Sequence, residues 1–379
     1  MLIQNAIFYD NTFLPRRGGL RTEGMTIAAI GDTLVPLPGE EVLDAEGLRL
    51  TPGFVDVHVH GGAGREISEA DAGAVQALSL RLARAGVTSF CPTTMTLPPD
   101  WLERCVRAVA ACLGREAGAA ILGVHLEGPY LSYEKRGAQD PRYLRSASLP
   151  EAEALAAIAP IALISLAPET EGALAFARAA VGRFRLSIAH TTADYAAAKT
   201  ALAAGFTHGT HLFCAMPPLH HRAPGAAAAL LEDEHATAEL ICDGAHVHPA
   251  MLRLALRLLG EDRAVCVSDA VAPAGLPEGS HIINGQGFRC QGGAVYLEDG
   301  QTLAGGAGTL ADGFRNLLRF GISVRAALKA CTVNPARAVG ADGSVGSLSP
   351  GKRADLLLLD EEWKLRRVML RGTWLDQTT

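Results

Sequence analysis

Histidine and glutamate side chains occur where short apolar runs end in the middle of this chain. The first run ends in His58-Val59-His60, and alternate residues of a β-strand point to the same side. The two imidazoles can therefore bind one divalent ion. A glutamate and two further histidines end or directly follow three later runs. The candidate metal ligands are Glu127, His190, His211, His58 and His60. A His/Glu set with room for water predicts a catalytic metal centre, not a closed structural one.

Other polar residues lie beside these candidates. Asp269 follows the eighth run, where its carboxylate can contact metal-bound water. His125 and His208 lie two and three residues from candidate ligands, so we expect them to support those ligands through hydrogen bonds. We expect His235 and His248 to lie on the surface. A single histidine at a strand end can simply bond loop backbone, but so many at one edge favour the metal interpretation.

The middle of the chain alternates between strand-length apolar runs and Ala/Leu/Arg-rich helical stretches. The runs are 54–59, 87–91, 120–126, 161–166, 185–189, 206–210, 239–242 and 264–267. The helical stretches include 71–85, 100–113, 193–204 and 249–259. This alternation predicts an α/β fold, a (β/α)8 TIM-like barrel whose active site lies at the C-terminal ends of the strands. A doubly wound sheet is the alternative, but Gly61-Gly62-Ala63-Gly64 replaces the expected G-x-G-x-x-G.

Both ends of the chain consist of short apolar runs separated by turn residues, a pattern typical of β-structure. We therefore predict a small β-sandwich domain from residues 1–51 and 347–379, and a barrel domain from residues 52–346. The segment 279–299 is predicted to be an inserted β-hairpin or lid near the end of the barrel.

Composition and charge narrow the class of protein. The 379 residues include 49% hydrophobic and 20% charged residues, which excludes disorder as the dominant state. The net charge of -6 and the lack of a basic block argue against nucleic-acid binding. No apolar run is long enough to span a membrane, and residues 1–10 lack the features of a signal peptide. Eight scattered cysteines without a C-x-x-C pair predict free thiols and a cytoplasmic location.

Several longer runs resemble known families. Pro52-Gly53-Phe54-Val55-Asp56-Val57-His58-Val59-His60-Gly61 resembles the opening signature of the amidohydrolase superfamily. Five internal runs resemble the N-acetylglucosamine-6-phosphate deacetylase family within it, and the resemblance extends over the whole chain. They are His125-Leu126-Glu127-Gly128-Pro129-Tyr130, Thr210-His211-Leu212-Phe213-Cys214-Ala215-Met216, His221-Arg222-Ala223-Pro224-Gly225, Asp243-Gly244-Ala245-His246 and Ser268-Asp269-Ala270-Val271-Ala272-Pro273-Ala274-Gly275.

The resemblance implies a role for each metal-site candidate. Glu127, His190 and His211 match the family's metal ligands, and His58 with His60 matches a pair that holds a second ion in some members. Zinc or iron is the expected metal, with one or two ions per subunit. The fourth strand lacks the carboxylated lysine of many superfamily relatives, so Glu127 would have to bridge two ions. Asp269 matches the general base.

The resemblance also implies a substrate pocket and a homodimer. The expected substrate-binding positions are Ala138, Gln139, Cys214, Ala215, Arg222, His246, Leu303, Ala304 and Gly305. Arg222 is expected to reach the substrate phosphate across the dimer interface, since its fork binds two oxygens at once. Two positions depart from the family: Gln139 stands where a histidine is usual, and Cys214 where an asparagine is usual.

The implied reaction is hydrolysis of the N-acetyl group of N-acetylglucosamine 6-phosphate to glucosamine 6-phosphate and acetate. The departures at Gln139 and Cys214 leave open a related substrate, either N-acetylgalactosamine 6-phosphate or an unphosphorylated hexosamine. A non-catalytic scaffold is a further alternative. Such a protein would be expected to lose metal ligands or the base, and this sequence retains all of them.

Overall fold

The computed structural model describes residues 1–376. The strands up to the middle of the chain are β1 (Leu2–Tyr9), β2 (Pro15–Glu23), β3 (Thr26–Gly31), β4 (Val42–Asp44), β5 (Arg49–Pro52), β6 (Phe54–Val59), β7 (Gly61–Gly62), β8 (Arg65–Glu66), β9 (Val87–Thr94), β10 (Ala120–Ile121), β11 (Val124–Glu127) and β12 (Ile161–Leu166). The later strands are β13 (Leu186–Ile188), β14 (Phe206–Gly209), β15 (Thr237–Ile241), β16 (Ala264–Val267), β17 (Gly279–Ile283), β18 (Gln286–Gln291), β19 (Ala294–Leu297), β20 (Leu303–Gly306), β21 (Leu356–Leu359), β22 (Leu365–Leu370) and β23 (Thr373–Trp374).

Helices connect most of the barrel strands. They are α1 (Ala72–Arg84), α2 (Pro99–Ala110), α3 (Leu149–Ala156), α4 (Ala173–Ala180), α5 (Tyr195–Ala204), α6 (Gly225–Glu232), α7 (Pro249–Arg263), α8 (Leu310–Arg319), α9 (Val324–Cys331) and α10 (Val333–Ala338). Short 3-10 turns cover Ile67–Glu69 and Pro141–Tyr143. Capping residues set where helices begin: Asp71 accepts the Ala74 N–H at the start of α1, and Thr309 with Asp312 forms a capping box on α8. No helix within residues 1–376 has the length and apolarity that a membrane span requires.

The predicted barrel is confirmed. Within residues 1–376, parallel strands follow one another in the order β6-β9-β11-β12-β13-β14-β15-β16, and a bridge between Val59 and Ala270 closes the ring. Most of these strands are buried along their whole length, which explains their continuous apolar runs. The predicted run 120–126 is divided, because Gly123 (φ 140°) interrupts it and only β11 belongs to the ring.

The small domain combines both ends of the chain in one mixed sheet of order β23-β22-β21-β5-β1-β2-β3, with β4 beside β1. The N-terminal and C-terminal parts of the sheet meet in the antiparallel pair β5–β21, where Pro52 lies opposite Leu356. Ile3, Phe8 and Met369 belong to its separate apolar core. The domain boundaries given above stay a prediction, and residues 377–379 lie outside the described residues.

The segment predicted as a hairpin or lid is larger than expected. Among the described residues, β17, β18, β19 and β20 form a four-stranded antiparallel sheet. Its last strand returns to the barrel, where Gly306 forms a parallel bridge with Ala270. A Cβ at Gly306 would lie 2.2 Å from the Ser268 carbonyl oxygen, so only glycine permits this close approach. This sheet of β17, β18, β19 and β20, called the lid sheet below, is therefore attached directly beside Asp269.

Candidate active site

Glu127, at the C-terminal end of β11, is the centre of a buried polar cluster. Its Oε1 lies 3.0 Å from His211 Nε2 and 3.2 Å from His190 Nε2. The same carboxylate lies 3.5 Å from His58 Nε2 through Oε1 and 3.4 Å from His60 Nε2 through Oε2. The structure thus brings together the five residues that the sequence nominates as metal ligands.

The imidazoles present Nε2 toward one another. His58 Nε2 and His60 Nε2 are 3.1 Å apart, and so are His190 Nε2 and His211 Nε2. His58 donates through Nδ1 to Glu239, and His190 donates through Nδ1 to the Lys135 carbonyl oxygen at 2.7 Å. These bonds leave a lone pair on Nε2 of each neutral ring, which is the arrangement that metal-binding histidines adopt. Two groups, His58-His60-Glu127 and Glu127-His190-His211, could each hold a divalent ion.

The charges of the cluster also favour a cation. Burial alone would lower the pKa of His58, but Glu239, Asp269 and Glu127 raise it to about 10. Burial opposes the same effect at His60, where Asp269 and Glu127 raise the pKa to about 9. The carboxylates therefore favour positive charge at this place, and a bound divalent ion would supply it in place of the histidine protons.

Asp269 faces the same cluster from the end of the barrel. Its Oδ1 lies 3.3 Å from His58 Nε2 and 3.4 Å from His60 Nε2. Burial would raise the pKa of Asp269, but the charges of His58 and His60 hold it below its usual value. The group is consequently a carboxylate at neutral pH, able to accept a proton.

Three site residues have left-handed backbone conformations at strand ends. The φ angles are +42° at His190, +31° at His211 and +47° at Asp269. Each such residue costs on the order of 1–3 kcal/mol and persists only where its surroundings impose it. Here the Asp269 N–H donates to the His58 carbonyl oxygen at 3.0 Å, and the His211 N–H donates to Glu239 Oε2 at 3.1 Å. Hydrogen bonds from their own backbone N–H groups therefore hold Asp269 and His211 in these conformations.

A cavity of about 380 Å³ opens above the cluster. Glu127, His190, His211, His60 and Asp269 form part of its wall. Eight of the predicted substrate positions also line it: Ala138, Gln139, Cys214, Ala215, His246, Leu303, Ala304 and Gly305. The last three belong to β20, so the lid sheet contributes one side of the cavity.

Arg222 is the exception among the predicted substrate positions. It is exposed and lines a separate surface pocket with Tyr195 and Pro217. Within one chain it does not join the wall of the cavity. The assignment of Arg222 to phosphate binding requires a second subunit and stays a prediction.

The sequence interpretation missed Glu239. This fully buried residue of β15 accepts the His58 Nδ1–H at 2.9 Å and lies 3.2 Å from His208 Nε2. The available signal was a charged residue inside the apolar run 239–242, because a buried carboxylate needs partners.

The remaining histidines occupy different surroundings. His125 packs edge-on against His58 and donates through Nδ1 to the Val57 carbonyl oxygen at 2.9 Å, and burial lowers its pKa to about 3. It is therefore neutral and does not contact Glu127. His235 and His248 are exposed, as expected.

Several known proteins are similar to this chain in sequence and in architecture. The N-acetylgalactosamine-6-phosphate deacetylase of Escherichia coli O157:H7 is 34% identical over 358 residues, covering 93% of each chain. The N-acetylglucosamine-6-phosphate deacetylase of Mus musculus is 38% identical over 350 residues, covering 88% of this chain and 85% of the mouse protein. The crystal structure of N-acetyl-D-glucosamine-6-phosphate deacetylase from Mycobacterium smegmatis matches with a TM-score of 0.91 at 31% identity, covering 99% of this chain and 100% of that one. The pattern of the amidohydrolase family matches residues 49–375, and this chain therefore belongs to that family.

Proposed function

We propose that this protein is a metal-dependent deacetylase that hydrolyses N-acetylglucosamine 6-phosphate to glucosamine 6-phosphate and acetate. The observation that carries the proposal is the convergence of four histidine Nε2 atoms on Glu127, with Asp269 beside them, in the wall of a cavity of about 380 Å³. A cavity of this size suits a small molecule such as a sugar phosphate. The deacetylases of mouse and Mycobacterium smegmatis support the choice of reaction.

The metal ligands in this proposal are Glu127, His190 and His211 for one ion, and His58, His60 and Glu127 for a second. Nitrogen and carboxylate donors suit zinc or iron, and the site would hold one or two ions per subunit. When bound, the ion lowers the pKa of a water molecule toward neutrality and polarises the amide carbonyl.

The side chains of this protein then handle the protons. Asp269 accepts a proton from the attacking water, because its carboxylate is ionised at neutral pH. As the new C–O bond forms and the C–N bond breaks, Asp269 returns that proton to the departing amine. One water molecule is consumed, and the products are acetate and the amino-sugar phosphate. His246, whose Nδ1–H donates to Asp243 at 2.6 Å, presents its other edge to the substrate cavity.

The proposal includes a cytoplasmic homodimer. Arg222 is exposed and does not line the active-site cavity of its own chain, which supports a role in the active site of a neighbouring subunit. Its guanidinium would bind the 6-phosphate through two parallel hydrogen bonds. The cytoplasmic location is supported by eight cysteines that are all free.

A second candidate substrate is N-acetylgalactosamine 6-phosphate. The relative from Escherichia coli O157:H7 that carries this activity in its name covers 93% of this chain. The two sugars differ only in the orientation of one hydroxyl group, and two cavity residues, Gln139 and Cys214, depart from the family pattern.

An acetate-release assay separates these candidates. Purified enzyme would be given N-acetylglucosamine and N-acetylgalactosamine, each with and without the 6-phosphate, and kcat/KM would be compared. We expect the highest value for N-acetylglucosamine 6-phosphate. A higher kcat/KM for N-acetylgalactosamine 6-phosphate would make that sugar the preferred substrate. Release of no acetate from any of the four sugars would contradict the deacetylase proposal.

A further inference from the structure

Gln139 is held between the backbone of one loop and the central carboxylate. Its Oε1 accepts the Thr96 N–H at 2.7 Å, and its Nε2 donates to Glu127 Oε2 at 2.6 Å. A backbone N–H can only donate, so the amide oxygen must face Thr96 and the NH₂ group must face Glu127. The residue is 4% exposed, and turning its side chain away would leave the buried Thr96 N–H without an acceptor.

This contact makes the two oxygens of Glu127 unequal. Oε1 lies nearest to His211 and His190, at 3.0 and 3.2 Å, with His58 farther away at 3.5 Å, and it has no bond to Gln139. Oε2 is the oxygen that faces His60, at 3.4 Å, and it already accepts the Gln139 N–H. If Glu127 bridges two ions with one oxygen on each, the ion at His58 and His60 takes Oε2 and shares it with the positively polarised hydrogen of Gln139.

We propose that Gln139 is a positioning residue that favours the ion at His190 and His211 and weakens the ion at His58 and His60. The inference rests on the metal site of the proposed function. The Gln139 N–H withdraws electron density from Oε2 and repels a cation placed there, and it fixes the plane of the carboxylate so that Oε1 faces the other pair. Gln139 thus acts through Glu127, and it sets how many ions the site holds at limiting metal concentration.

The test is an equilibrium titration of metal-free protein with Zn²⁺. Binding is measured by isothermal titration calorimetry and by competition with a chromophoric chelator. In Gln139→Leu the second dissociation constant should fall about tenfold, while the first stays constant or rises. Adding His58→Asn and His60→Asn to Gln139→Leu should abolish the second binding event. Gln139→Asn is a second variant, because its shorter side chain cannot reach both Thr96 and Glu127.

Thr96→Val is the matched control. It keeps the backbone N–H that binds Gln139 and changes only a side-chain hydroxyl with no hydrogen-bond partner among the described residues. Its two dissociation constants should equal those of the wild type. A ratio of the two constants in Gln139→Leu and Gln139→Asn within threefold of the wild-type ratio would overturn the inference while leaving the proposed function intact. A wild-type protein that binds no ion would overturn both.

Discussion

Glu239 and His58 are joined by a 2.9 Å hydrogen bond between Oε2 and Nδ1, and neither side chain is exposed to solvent. The carboxylate can only accept, so the proton lies on Nδ1 and Nε2 is left for the cluster around Glu127. A residue of β15, which only β16 separates from β6 in the ring, thereby selects the tautomer of His58.

The first prediction follows from that bond. Glu239→Gln should lower the affinity for the ion at His58 and His60 about 10-fold to 100-fold. The amide of glutamine can donate an N–H to His58 Nδ1, and it lacks the negative charge that keeps the proton on Nδ1. Metal titration of the purified variant measures the effect. Glu234→Gln, an exposed glutamate on the same chain segment, is the control and should bind metal like the wild type. Unchanged affinity in Glu239→Gln would show that the bond does not tune the site.

The second prediction concerns Asp269. Asp269→Asn should fold normally and keep its ion at His190 and His211 but lose about 10³-fold in kcat, because an amide can neither take nor return the proton. Steady-state acetate release together with metal analysis checks this. A variant that retains more than about a tenth of wild-type turnover would exclude Asp269 as the base.

The third prediction concerns the ligands of the first ion. Glu127→Ala and His211→Ala should each lose most of the bound metal, because an open site has few protein ligands and each supplies a large share of the affinity. Metal content after dialysis against dilute chelator is the measurement. His235→Ala replaces an exposed histidine and should retain the wild-type content. Equal metal content in all variants would refute the assignment.

The fourth prediction concerns Arg222. Arg222→Ala should raise KM for the phosphorylated sugar far more than for the unphosphorylated one, since only the former offers anionic phosphate oxygens to the guanidinium. Mixing Arg222→Ala with Asp269→Asn should restore activity through hybrid dimers that contain one complete site. If subunits exchange and no activity returns, Arg222 does not act on the neighbouring subunit.

The fifth prediction is a pH dependence in the small domain. Arg21 binds Glu40 through two hydrogen bonds of 2.7 and 2.9 Å, and together with the Leu37 N–H it lowers the pKa of Glu40 from 4.5 to about 2. A lowered folded-state pKa stabilises the fold above the unfolded value, and that contribution is lost as pH falls from about 4.5 toward 2. Glu40→Gln should therefore lower Tm at pH 7, and its difference from the wild type should shrink between pH 5 and pH 3.

Glu41→Gln provides the matched comparison, because it replaces an exposed neighbouring glutamate. Its Tm should follow that of the wild type at every pH. A Glu40→Gln difference that stays constant down to pH 3 would contradict the role of the Arg21 pair.

The barrel could be predicted from sequence because buried parallel strands leave continuous apolar runs, and because histidine and acidic residues end those runs at one edge. Glu239 could not be assigned in this way. Its partner His58 lies 181 residues away, and the spacing of residues along a chain does not show which side chains meet across a barrel.

Loops and short strands limited the prediction further. The bond from Gln139 to Glu127 depends on how residues 128–138 fold back, which no periodicity determines. The predicted hairpin or lid ended at residue 299 and left out β20, whose Gly305 and Gly306 are turn-forming residues by type. In the structure they permit close packing against the backbone of Ser268 and Asp269 instead.

The pairing of Pro52 with Leu356 has a consequence for synthesis of the protein on the ribosome. At 5–20 residues per second, β5 emerges about 15–60 s before its partner strand β21 is made. Throughout that interval β5 is an unpaired sheet edge that can accept a strand from another molecule. A β21 strand that joins the β5 of a neighbouring nascent chain produces a domain-swapped dimer. High local chain concentration during translation should therefore increase the yield of intertwined and aggregated molecules.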